Sequence, residues 1–244
     1  MSKPNSDTVF GYGIFIKTPA PHLVEVAATS KLDFVVVDAE HAPFDRVTID
    51  TMLLAGRAAG IPILVRVADC AASGILSALD LGARGVIVPH VDNAEIASLA
   101  VAAARFRDGK RGYSSGPRAA GYGTKPAAEI LRQGDQTKVI VQIEHPDAVT
   151  NLEQILSVGG VDGILVGRAD LALSMGYQDL RASEVDHVVD DVLRRANGKT
   201  EIVGLVLSSR ADEKRYRQIG ANFFLIGTDH GFLRAGVQHW FDGA

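Results

Sequence analysis

The sequence is poor in cysteine, in net charge and in long apolar runs, and each shortage narrows the field. One cysteine, Cys70, among 244 residues excludes an intramolecular disulfide and any zinc cluster built from several cysteines. Lys+Arg 25 against Asp+Glu 29 leaves a formal charge of −4, without the basic surplus that nucleic-acid binding needs. No stretch reaches the roughly 18 apolar residues of a membrane span, and the opening MSKPNSDTVF has no apolar signal-peptide core. What is present is a globular balance, 47% apolar and 22% charged, on a chain long enough to bury its core unstapled. The expectation is a cytoplasmic soluble enzyme that partners neither nucleic acid nor membrane.

The dominant pattern is a recurrence of short β-branched or aromatic runs. They read GYGIFI (11–16), DFVVVD (33–38), PILVRV (62–67), GVIVP (85–89), KVIVQIE (138–144), GILVG (163–167), IVGLVL (202–207) and NFFLIG (222–227). Between most of them lie Ala- and Leu-rich segments of helical spacing, such as TIDTMLLAGRAAG and AEIASLAVAAARF. Strands alternating with helices imply βαβ units and a parallel sheet. Eight of them predict an α/β fold, a (β/α)8 barrel forming one domain over residues 1–244. A doubly wound open sheet is the competing topology, and the lack of a GxGxxG after the first strand weighs against it. The long irregular segment DGKRGYSSGPRAAGYG (108–123) reads as a functional or disordered loop. The tail GFLRAGVQHWFDGA predicts a short amphipathic helix that packs on its own barrel or on a neighbouring subunit.

Strand periodicity turns these runs into chemistry. In KVIVQIE, Val139, Val141 and Ile143 share one face, and Ile140, Gln142 and Glu144 share the other. Burying Gln142 and Glu144 unpartnered beneath helices would cost several kcal/mol. Glu144 therefore points into the barrel at the C-terminal strand end, where barrel enzymes hold their active sites. By the same argument Asp38 lies in line with Phe34 and Val36, and Arg66 with Leu64. Glu40 and His41 follow Asp38 directly, and Asp170 follows GILVG. Asp38, His41, Arg66, Gln142, Glu144 and Asp170 should thus converge on one mouth.

Two carboxylates from neighbouring strand ends, Glu144 and Asp170, suit a hard divalent cation such as Mg²⁺ or Mn²⁺. Each by itself also reads as a helix cap or an arginine partner. Gly167-Arg168-Ala169-Asp170 opens a helix whose N–H groups favour an anion, although a tight turn at Gly167 explains that segment equally well. His41 can serve as general base near neutral pH, oriented by Asp38 or Glu40. Arg66 suits a developing oxyanion, or an ion pair with Asp38 or Glu40, or both. His90 ranks lower because no acid stands close to it in sequence, and His145 is similarly ambiguous.

The segments VVVDAEHAPFD, LDLGARGVIVPHVDNAEIA, KRGYSSGPRAAGYG, VIVQIEHPDAVTNLEQI and VDGILVGRADLALSMG resemble the HpcH/HpaI aldolase family, from about residue 11 to about residue 235. That resemblance implies metal-dependent class II pyruvate aldolases on a phosphoenolpyruvate/pyruvate-type barrel. The last helix would be swapped between subunits, in hexamers built as trimers of dimers. It implies Mg²⁺, Mn²⁺ or Co²⁺ held by Glu144 and Asp170. A 2-oxo acid would be held by Gly167 and the amides of Ala169 and Asp170, with Gln142 alongside. It assigns His41 to proton transfer, with Asp38 and Asp80 as acidic partners, and Arg66 to the keto or enolate oxygen. Two positions depart from the pattern: Phe15 stands where tryptophan is usual, and Arg168 replaces a common proline, adding a cation near the mouth.

The reaction so implied joins the enolate of pyruvate to an aldehyde, or cleaves a 4-hydroxy-2-oxo acid in reverse. Arg111, Tyr113 and Arg118 of the long loop are expected to cover the site or meet the distal substrate. Rival readings are an oxaloacetate-type decarboxylase or other lyase, a Schiff-base aldolase using Lys17, and a non-catalytic carboxylate-binding barrel.

Overall fold

The computed structural model describes residues 10–207 and 209–243. The opening segment read for a signal peptide lies, up to residue 9, outside them. Eight parallel strands close in sequence order, each hydrogen-bonded to the next and β8 to β1. They are β1 (Gly11–Ile16), β2 (Phe34–Asp38), β3 (Ile63–Arg66), β4 (Gly85–Val88), β5 (Lys138–Ile143), β6 (Gly163–Val166), β7 (Ile202–Val206) and β8 (Phe223–Thr228). Each coincides with one of the eight sequence runs to within a residue at either end. The closed ring excludes the open doubly wound sheet.

The helices are α1 (Pro21–Ala28), α2 (Arg46–Ala59), α3 (Ala72–Asp80), α4 (Ala94–Ala104), α5 (Ala127–Gly134), α6 (Pro146–Thr150), α7 (Leu152–Leu156), α8 (Arg168–Ser174), α9 (Ser183–Ala196), α10 (Arg210–Gln218) and α11 (Asp229–Asp242). Side-chain caps set several starts: Asp45 accepts from the Thr48 N–H, and Asn93 from that of Ile96. Among the described residues no helix is long and apolar enough to cross a membrane.

The period-2 pattern sorts the apolar residues into two cores. Val139, Val141 and Ile143, with Val35, Val37, Ile63 and Val65, pack outward against the helices. Phe15, Phe34, Val36, Leu64, Ile87, Ile140, Leu165, Ile202, Phe223 and Leu225 fill the barrel. At its floor Phe34 stacks on Phe223, with centroids 4.3 Å apart and planes 17° from parallel. A β-carbon on Gly13 would lie 2.1 Å from the Phe34 ring, so glycine there lets the ring cross the barrel. With its interior filled below, the barrel has room for polar groups only at its C-terminal rim.

Candidate active site

Asp38 and Arg66 occupy that rim because they continue the inward faces of β2 and β3, and the strand register sets them side by side. Arg66 Nε donates to Asp38 Oδ1 at 2.9 Å and Nη2 to Oδ2 at 2.8 Å. Lys17 Nζ, one residue past β1, lies 3.0 Å from the same Oδ2. Burial of Asp38 would by itself raise its pKa. The hydrogen bonds and charge of Arg66, with Lys17 and the His41 N–H, overturn that and hold the carboxyl below its usual range. The Arg66 guanidinium also rests over Phe15, 4.5 Å from the ring centroid. Its remaining nitrogen, Nη1, reaches Gln142 Oε1 at 3.4 Å and Glu40 Oε2 at 3.0 Å. The ion pair expected with Asp38 or Glu40 is therefore made with both.

Across the mouth, Glu144 follows β5, and its side chain is only 3% exposed. One carboxylate oxygen accepts from Gln142 Nε2. The other accepts from the backbone N–H of His90 at 2.7 Å. The His90 ring lies between two acids, Nδ1 3.2 Å from Glu144 and Nε2 3.3 Å from Glu40. His41 stands half-exposed, with Nε2 3.7 Å from Glu40 and its N–H on Asp38. Burial pushes the Glu40 carboxyl up. Arg66, His41 and His90 pull against that, and the negative charge of Glu144 adds to it.

A divalent cation fits the donor set of Glu40, His90 and Glu144, a group that does not include Asp170, exposed in the first helical turn after β6. Two buried carboxylates face one another, and Glu40 Oε2 accepts no aligned hydrogen bond despite its ion pair with Arg66. Gly167 packs so closely that an added β-carbon would lie 2.7 Å from Glu144 Oε2. Helix α8 begins at once after it, and its first turn presents Ala169 and Asp170 to solvent.

Other expected residues have structural employment. Asp80 ends α3, and its carboxylate accepts from Arg111 Nη2 at 2.9 Å. The resemblance makes Asp80 an acidic partner of His41; in this chain its carboxylate is paired with the loop arginine. Arg111 also lies over Phe106, and Arg118 pairs with Asp50 of α2 at 2.5 Å, so both loop arginines tie the segment down. Tyr113 is half-exposed and meets Phe106 edge-on. Arg168, the added cation near the mouth, donates to the Leu180 carbonyl and to Asp186. His145 caps α6 through the Asp147 N–H. Lys17 Nζ is committed to the Asp38 carboxylate and so is not free to serve as the nucleophile of a Schiff-base aldolase.

Two members of the cluster are hard to see in the sequence: Glu40 stands out only as a neighbour of His41, and His90 has no acid close to it along the chain. The two acids that flank His90 come from β2 and β5, whereas it follows β4 itself. Convergence of strand ends on the one mouth of a closed barrel is the signal that finds them.

A closed parallel barrel whose C-terminal mouth gathers buried acids and an arginine beneath two exposed histidines is the architecture of a (β/α)8 enzyme. The HpcH/HpaI aldolase/citrate lyase family model matches residues 11–235, and the chain belongs to that family, which makes it a lyase. It is 34% identical over 229 residues to the 5-keto-4-deoxy-D-glucarate aldolase of Salmonella arizonae, covering 93% of this chain and 89% of that one. Among solved structures it resembles an HpcH/HpaI aldolase/citrate lyase family protein from Burkholderia cenocepacia. The TM-score is 0.89 at 29% identity, with 98% and 95% of the two chains covered. It also resembles the citrate synthase SbnG, with TM-score 0.86, 30% identity and 97% and 93% coverage.

Proposed function

We propose that the protein is a metal-dependent class II aldolase that joins pyruvate, or a related 2-oxo acid, to an aldehyde and reverses the reaction. The observation that carries this reading is the Arg66 guanidinium, fixed by Asp38 on one edge and held toward Gln142 and Glu40 at the mouth on the other. Glu144 and Asp170 would hold the ion, Mg²⁺, Mn²⁺ or Co²⁺. When bound, a divalent ion withdraws charge from a 2-oxo acid's carbonyl and so acidifies the C3 protons.

The residues of the chain carry the rest. The N–H groups of Ala169 and Asp170, in the first turn of α8, receive the substrate carboxylate. Arg66 holds the keto oxygen and stabilises negative charge that develops on it. His41, with Glu40 beside its ring, removes a C3 proton. The enolate carbon then attacks the aldehyde carbon. The aldehyde oxygen takes the proton back from His41, leaving a 4-hydroxy-2-oxo acid and a neutral imidazole. Asp38 works through Arg66, keeping it oriented, and Gln142 keeps Glu144 aimed into the mouth.

Helix α11 supports an oligomer. It has no buried residue, and Leu233, Val237 and Trp240 form an exposed apolar stripe along it. We place a second copy of the chain against that stripe, in the hexameric, helix-swapped assembly that the family resemblance implies.

The test is exchange of pyruvate methyl protons in D₂O. The protein with Mg²⁺, Mn²⁺ or Co²⁺ should catalyse it, EDTA should stop it, and Glu144→Gln should abolish it while the circular dichroism spectrum stays unchanged. Absence of exchange with every metal removes the enolate from the reaction. Likeness to a citrate synthase favours a second reading, in which a 2-oxo acid replaces the aldehyde. Side-by-side assays with oxaloacetate and with an aldehyde panel separate the two.

A further inference from the structure

We propose that His90 is a nitrogen ligand of the divalent-ion site, with Glu40 orienting its ring, so that the site selects transition metals over Mg²⁺. This rests on the reading of Glu144 as a ligand. It adds a residue of different chemistry to that carboxylate.

One atom each from Glu40, His90 and Glu144 lies within 4.8 Å of the others. His90 Nδ1 stands 3.2 Å from Glu144 Oε1. Two ligands at about 2.0–2.2 Å from one metal ion in tetrahedral array are separated by about 3.3–3.6 Å. The observed spacing needs only a slight opening to admit an ion between nitrogen and oxygen. The other ring nitrogen, Nε2, is 3.3 Å from Glu40 Oε1. Metal-bound histidines characteristically donate their second N–H to a carboxylate, which fixes tautomer and ring plane. Glu40 is equipped for that task because its side chain is 7% exposed and Arg66 anchors its other oxygen.

The backbone brings the ring there. His90 has φ 56, a conformation uncommon for a residue with a side chain. In that conformation its N–H reaches Glu144 while its ring turns over the same carboxylate. His90 is 67% exposed, so apolar packing does not hold the ring in place, and its close side-chain neighbours are the two acids. Imidazole is a ligand suited to Zn²⁺, Ni²⁺ and Co²⁺, whereas Mg²⁺ takes carboxylate, carbonyl and water oxygens.

The experiment titrates the full-length protein with Co²⁺, followed by its visible absorption, and with Mg²⁺, followed by calorimetry. Wild type is compared with His90→Gly and Glu144→Gln. Glycine tolerates the positive φ and keeps the N–H that Glu144 accepts. His90→Gly should weaken Co²⁺ binding about 10–100-fold, change the Co²⁺ spectrum and leave Mg²⁺ affinity within about 3-fold. Glu40→Gln should weaken Co²⁺ binding less, with the spectrum retained. An unchanged Co²⁺ spectrum and affinity in His90→Gly overturns the inference, provided Glu144→Gln still abolishes binding. So does an equal loss for both metals, which would mark His90 as a prop for Glu144. If Glu144→Gln binds both ions like wild type, the underlying reading of Glu144 fails and this inference fails with it.

Discussion

Asp38 and Arg66, paired in register on β2 and β3, meet through two parallel hydrogen bonds of 2.9 and 2.8 Å inside the rim of the barrel. The two-point contact fixes the plane of the guanidinium, which a lysine in that place could not match. Phe15 supports the same plane from β1, an aromatic surface for the cation where tryptophan is the usual residue. Position 15 thus supplies a stacking surface for Arg66 in this chain.

Replacing Asp38 by Asn keeps the shape but strands Arg66 and Lys17 in a buried site without their shared anion. Breaking one partner of a buried pair costs about 3–5 kcal/mol. Urea unfolding of Asp38→Asn should show a loss of that order, and the double variant with Arg66→Met should recover part of it. A loss under about 1 kcal/mol would mean that water already screens the pair.

The two acids of this rim respond to pH with opposite sign. Asp38 is held below its ordinary 3.8. Its contribution to stability is therefore complete above that value and disappears as pH falls through the folded value. Glu40 is raised above its ordinary 4.5, by burial first and by the charge of Glu144 as well. Its contribution is complete below 4.5 and is lost as pH rises through the folded value. In EDTA, Glu40→Gln should accordingly melt above wild type at pH 7, and the gap should close as pH approaches 4. Melting curves across that range check the sign, and a gap that widens on acidification contradicts it.

Gly167 is required by contact with a side chain, since its φ of −87 suits any residue. A methyl group there would lie 2.7 Å from Glu144 Oε2 and 2.8 Å from Glu144 Cβ. Gly167→Ala should therefore fold normally but push Glu144 aside. Displacement of a catalytic group by about 1 Å can cost about 100-fold in rate, so kcat for aldol cleavage should drop by one to two orders of magnitude. Full activity in this variant would show that Glu144 does not work from the position seen here.

The barrel was legible because alternation assigns faces without knowledge of the fold: Gln142 and Glu144 follow Ile140, Arg66 follows Leu64, and all face inward as expected. Contacts between strand ends were less legible. The place of His90 depends on a single positive φ after Pro89 and on acids 50 and 54 residues away in sequence. Arg168 shows the converse. Its charge looked available at the mouth, but Asp186 of α9 and the Leu180 carbonyl, both beyond the helix it opens, absorb it. Local spacing gives no measure of such distant partners.

Helix α11 links the assembly to the site. Its first residue, Asp229, accepts from the N–H groups of Lys17 and Thr18, each at 2.9 Å, and so pins the helix origin beside the lysine that holds Asp38. From there Leu233 and Trp240, 72% and 82% exposed, lie along one stripe with Val237 between them. Fully burying side chains of this size contributes about 1.5–3 kcal/mol each, so a charge in the stripe opposes association strongly. Leu233→Glu with Trp240→Glu should sediment as a smaller species than wild type. If α11 reaches across to a second barrel, the variant should also lose activity at low protein concentration and regain some of it at high concentration. An unchanged sedimentation coefficient would show that the stripe is not the contact between copies.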